Sequence, residues 1–239
     1  MSVDKDIWYF LKSTPAFHPL VEMLRLVKSP DEISMLRQAA RFAFRGMEKI
    51  IHAAYFGVSE IEIFSQGRSV QMSIIRETEF DPLNTSVLTA AWPARLATQP
   101  HGIPRIDDRL EEGPHIALSF MRVNGYAAEC ERTFFVAPPT SEMKRMFGTM
   151  QEARRRAFEL VKPGVSCTQI DQAANVFLRQ EGLADFLLHR TGHGFGLGNH
   201  EGPWVAEGSE EILDKLVIQG SKPIARLRGA VIRRATGIH

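Results

Sequence analysis

The residues best suited to chemistry lie between Arg190 and Gly202, in the run R-T-G-H-G-F-G-L-G-N-H-E-G. His193 and His200 stand seven residues apart among five glycines, and Glu201 follows the second histidine directly. An imidazole can donate, accept or ligate near neutral pH, and a glycine lets the backbone come close to a ligand or ion. Leu187, Leu188, Phe195 and Leu197 frame the run, which predicts an irregular strand under a pocket. The plainer alternative is a glycine-rich surface loop with incidental histidines. A second cluster is Glu129 with Glu131, inside an apolar run. Being two apart, they share one face of an extended strand, while Arg132 faces the other way. Two carboxylates on one face repel unless a cation, a proton or a cationic substrate compensates. A solvated polar face on an edge strand is the other reading.

The elements that must position these groups are signalled by caps and periodicity. Ser29-Pro30-Asp31-Glu32 is a capping box with proline at the first helical position. Ile33, Leu36, Ala40, Ala43, Met47, Ile50 and Ala54 follow at helical spacing, predicting a helix over about 30–55. Ser59 with Glu62 opens a second, over about 59–75. Ser86–Ala90 reads as a strand. Ile116–Met121 and Tyr126–Val136 read as a hairpin turning at Asn124-Gly125. Thr140 and Ser166 or Thr168 introduce helices over about 141–161 and 168–181. Gly57-Val58-Ser59 recurs as Gly164-Val165-Ser166 in the same helix–helix context, which suggests a duplicated half.

At 239 residues the chain is long enough for a large core. A net charge of +1 gives no bulk attraction to nucleic acid or a membrane surface, and no apolar run approaches the ~20 residues of a spanning helix. The start lacks the pattern of a secretory signal, and Cys130 and Cys167 make a disulfide framework unexpected. A cytoplasmic protein is the expectation. Residues 1–27 read as a lead-in or the remnant of a preceding domain, 28–213 as the catalytic-type domain, and 214–239 as an irregular basic tail. After Asp214 the tail carries six Lys/Arg and no acid. This abrupt change suggests an altered end, such as a shifted reading frame.

With G-Y-A-A-E-C-E-R-T-F-F at 125–135 and T-G-H-G-F-G-L-G-N-H-E-G at 191–202, the chain resembles the pita-bread family. That family holds methionine aminopeptidases, Xaa-Pro aminopeptidases, prolidases and creatinase. The resemblance covers roughly residues 24–213. It implies an α/β fold of pseudo-duplicated helix–helix–strand units around a curved antiparallel sheet, here with the last hairpin missing. An edge left open by that hairpin would invite association or loss of stability. The family's peptidases hold two divalent metals on two Asp, one His and two Glu. By resemblance His193 matches the histidine and Glu129 the second aspartate, while Ser119 stands where the first is expected. A divalent ion (Mn, Co or Zn) in a degraded site, or none, is therefore implied.

Glu131-Arg132-Thr133 resembles creatinase, which works without metal, and the reading leans towards metal-free chemistry. In that likeness His101 is the general acid/base, Glu131 holds a cationic part of the substrate, and His193 and His200 bind and polarise it. Glu129 and Glu201 are substrate-binding carboxylates beside them. The implied activity is hydrolysis of an amide or C–N bond in a small molecule or short Xaa-Pro peptide, with a homodimer allowed. A non-catalytic binding module of the same fold is the alternative.

Overall fold

The computed structural model describes residues 20–97, 102–187, 189–213 and 226–227. The longest helix begins where its cap was predicted. Preceded by a short helix α1 (Leu20–Leu26), α2 (Pro30–Ala53) starts at Ser29, whose Oγ accepts the Glu32 N–H at 3.3 Å. The Ser29 N–H donates in return to Glu32 Oε2 at 2.8 Å. Two of the three orphan donors of the first turn, Pro30 having no N–H, are thereby satisfied. Ile33, Leu36, Ala39, Phe42, Ala43, Met47 and Ile50 form its buried stripe.

That stripe lies on an antiparallel sheet of β1 (Ser86–Trp92), β2 (His115–Val123) and β3 (Tyr126–Phe134), in that order. The β2–β3 turn is Asn124-Gly125, both at positive φ (+50° and +92°), as a two-residue hairpin loop requires. Ala117, Met121, Val123, Ala128 and Phe134 share core clusters with residues of α2. The helix comes so close that a Cβ on Gly46 would lie 2.1 Å from Ser119 Oγ. Ser119 therefore points at α2.

The helix expected over 59–75 is instead two, α3 (Glu60–Ser65) and α4 (Gly67–Glu77). The cause is Thr89 of β1, whose Oγ1 donates to the carbonyls of Ile63 and Phe64 at 3.1 and 3.0 Å. A side chain inserted into the helical ladder at that point re-aims the chain.

The second half repeats the design. Helices α5 (Ser141–Glu159) and α6 (Cys167–Gln180) pack Ala153 and Ala157 among Ile170, Ala174 and Leu178. The three-residue echo in the sequence marks a matched clamp. Gly57 N–H donates to Leu110 O and Leu110 N–H to Val58 O; Gly164 N–H donates to Leu213 O and Leu213 N–H to Val165 O. Glu60 N–H reaches Asp108 O just as Cys167 N–H reaches Glu211 O, both at 2.8 Å. The bridges Ser59–Arg109 and Ser166–Ile212 complete the match.

Beyond this clamp lies a small sheet of order β5–β4–β6, made by β4 (Gly192–Gly194), β5 (Glu201–Val205) and β6 (Arg226–Leu227). The short tail segment Arg226–Leu227 thus pairs with β4 at the edge where a closing hairpin was expected to be absent. The lead-in also reaches this region. Leu26 of α1 packs against Gly202, where a Cβ would lie 2.7 Å from its Cδ2.

Glu60 is the costly residue of the first half. It is 5% exposed, and its Oε2 accepts the Ala91 N–H at 2.9 Å. Burial outweighs that bond and raises its pKa to about 8, with Asp108 adding repulsion. The folded state therefore holds a proton there that the unfolded chain releases above about pH 4.5. Between about pH 4.5 and 8 this group costs roughly 1.4 kcal/mol of stability per pH unit. Glu60→Gln is expected to match the parent near pH 4 and to become progressively more stable than it up to pH 8. Urea unfolding at a series of pH values measures this, and parallel curves for the two proteins would refute it.

Candidate functional site

Strand β3 presents Glu129 and Glu131 on the face turned away from α2, as alternation requires. On the same face, Phe120 stands opposite Glu129 and Leu118 opposite Glu131. Ser119 pairs with Cys130 on the α2 face. The sequence reading that placed Ser119 at a ligand position is therefore corrected. The positions facing the site are apolar, and Ser119 is one residue out of phase with them.

The His-Gly run lies along the open edge of β3. Ala127 N–H donates to Gly196 O at 2.8 Å, and Arg122 donates to Leu197 O and Asn199 Oδ1. Glu129, His193 and His200 converge as a result. One ligand atom from each lies within 4.8 Å of the other two. His193 Nε2 is 3.6 Å from Glu129 Oε1, and the two imidazoles meet edge to face with centroids 4.2 Å apart. His193 is 2% exposed, whereas His200 is open to solvent. His193 Nδ1 lies 2.9 Å from Gly194 O. A carbonyl can only accept, so Nδ1 carries a proton, and it is Nε2 that faces Glu129.

The remaining sequence candidates fall elsewhere. His101 lies outside the described residues. Glu131 shares the face of Glu129 but is not part of the three-residue group. Glu201 is tied up structurally. Lys28 Nζ donates to its Oε1 at 2.8 Å, the side chains being 7% and 12% exposed, and its Oε2 accepts the Gly198 N–H.

Three residues acquire roles only in three dimensions. Asp171 of α6, buried, accepts the Thr191 N–H at 3.1 Å and the Asn175 amide at 2.9 Å, anchoring the chain just before β4. Arg190 stacks its guanidinium over Trp204 at 4.2 Å, and Trp204 is the cross-strand partner of His193. An apolar-plus-basic pair beside the histidines suits an anionic group. Arg190 was inside the chemical run, but its partner lies fourteen residues on.

The sequence profile of metallopeptidase family M24 matches residues 34–220. The chain belongs to this family. It is 30% identical over 196 residues to a probable dipeptidase PepE of Mycobacterium tuberculosis, covering 81% of this chain and 50% of the relative. It is 26% identical over 206 residues to the Xaa-Pro dipeptidase of Pyrococcus furiosus, covering 85% and 57%. The X-Pro aminopeptidase from Thermotoga maritima superposes with a TM-score of 0.72 at 27% identity, over 83% of this chain and 55% of that one. The pita-bread fold implied by the sequence motifs is thus the fold of this chain. It spans about half the length of the curated relatives it matches. None of the described helices is long and apolar enough to cross a membrane.

A family of metallopeptidases gives no support to the lean towards metal-free chemistry. Among the described residues the donors do not fit a metal pair either. Leu118 and Phe120 occupy the facing strand positions, and Glu201 is engaged by Lys28. Donors for one ion do converge, on Glu129, His193 and His200.

Breaking a nearly buried ion pair leaves one charge uncompensated. Lys28→Met is therefore expected to cost about 2–4 kcal/mol of unfolding free energy, reduced by the hydrogen bond Glu201 keeps to Gly198. Adding Glu201→Gln should recover part of the loss. A cost below about 0.5 kcal/mol in urea unfolding would place this pair among weak surface contacts.

Proposed function

We propose that this chain is a hydrolase of C–N bonds in short peptides or small amides, working at the Glu129–His193–His200 cluster. The observation that carries this reading is that a strand of the first half and a glycine run of the second bring a carboxylate and two imidazoles together. Its support from comparison is membership of a metallopeptidase family and likeness to proteins named dipeptidase and Xaa-Pro dipeptidase.

Glu129, His193 and His200 would hold a divalent ion. When bound, such an ion supplies carbonyl polarisation and a water acidic enough to attack at neutral pH. Around it, each protein group has a task. His193, its tautomer set by Gly194 O, directs Nε2 into the site. His200, the exposed member of the three, would complete the ion's ligand set. Glu131, further along the same strand face, suits the substrate's ammonium. Arg190, held over Trp204, suits its carboxylate. His101 remains a proposed general acid/base.

A binding module is the second reading, and one observation favours it: Leu118 and Phe120 stand where a peptidase of this family is expected to place a carboxylate. Turnover decides between the two. Purified chain is assayed on Xaa-Pro dipeptides, other dipeptides and creatine-like amides. His193→Ala is expected to lower kcat/KM by about 100-fold or more. Arg190→Ala should raise KM for free dipeptides while leaving C-terminally amidated ones almost unchanged. Failure to hydrolyse any of them, with retained binding, would establish the module instead.

A further inference from the structure

We propose that the cluster binds a single divalent ion on Glu129, His193 and His200, in place of a carboxylate-bridged pair, and that it favours zinc over manganese. The inference concerns the same cluster as the hydrolase reading but is tested without turnover.

Stoichiometry follows from the neighbours of Glu129. A second ion close to the first needs further anionic oxygens, because two divalent charges repel strongly unless carboxylates lie between them. The strand positions facing the cluster on β2 are Leu118 and Phe120, which have none to offer. Glu201, next to His200 in sequence, is committed to Lys28 and the Gly198 N–H. Among the described residues no other group of three candidate ligands includes these positions. Glu131 could add at most one carboxylate on the strand face.

Geometry fits one ion. Zinc–ligand bonds of about 2.0–2.2 Å place neighbouring donor atoms of a tetrahedral site roughly 3.5 Å apart. Glu129 Oε1 and His193 Nε2 are already 3.6 Å apart, and the remaining separations stay within 4.8 Å. His200 is the exposed member of the three. His193 has the outer hydrogen bond typical of a ligating histidine, from Nδ1 to a backbone carbonyl. Three protein ligands leave a fourth position for water or substrate.

Selectivity follows from the donor types. Manganese suits oxygen-rich sites, whereas imidazole nitrogens suit zinc and its late first-row neighbours. Two nitrogens and one carboxylate place this cluster on the zinc side.

The test is metal binding to the full chain after chelator treatment. Isothermal titration and elemental analysis should give one zinc per chain, bound at least about 10-fold more tightly than manganese. Glu129→Gln, His193→Ala and His200→Ala should each weaken zinc binding about 10-fold or more, with circular dichroism confirming a folded chain. His52→Ala, an exposed histidine on α2, should leave it unchanged. Two ions per chain, tighter binding of manganese, unchanged affinity in His200→Ala, or no zinc binding would each overturn the proposal. A chain that binds one zinc yet hydrolyses nothing would uphold this inference and remove the hydrolase reading.

Discussion

The structure depends on how closely the glycine run of the second half can lie on the sheet of the first. The Ala127 N–H to Gly196 carbonyl bond is the point of contact, and Arg122 reinforces it by reaching two further residues of the run. Neither half carries the site alone. Glu129 belongs to a strand whose other face is the hydrophobic core under α2, and the histidines belong to a strand anchored by Asp171 of α6. A larger residue at position 196 would collide with the Glu201 side chain of the same run. Backbone proximity, more than any side-chain bond, is what makes the cluster.

Much of this was legible in the sequence because the signals are local. Capping at Ser29 and Ser166, the Asn-Gly turn and the alternation that pairs Glu129 with Glu131 depend on residues a few positions apart. The repeated Gly-Val-Ser was a faint sign of a duplication whose substance is the matched clamp to Leu110 and Leu213. Long-range causes were not legible. The break at Gln66 comes from Thr89, and the fate of Glu201 is decided by Lys28, 173 residues away. Ser119 shows a subtler failure. A motif locates a strand, but only register decides which residue faces the site, and a slip of one reverses the answer. His101 and most of the tail fall outside the described residues, so their expected roles rest on sequence alone.

Four carboxylates that the fold draws inward show how differently one chemical problem can be solved. Glu60 keeps its proton, because a single backbone donor from Ala91 does not offset its burial. Glu201 takes a full countercharge from Lys28. Asp171 is satisfied by neutral donors, one amide side chain and one backbone N–H, and uses them to hold the entry to β4. Each of these has a structural outcome. Glu129 is met by the imidazole of His193, with His200 next to it. An imidazole can answer a carboxylate in two ways, by taking a proton and becoming a cation, or by sharing a metal ion with it. Where the chain could have used a lysine or a trapped proton, it has placed two imidazoles, one buried and one open to solvent.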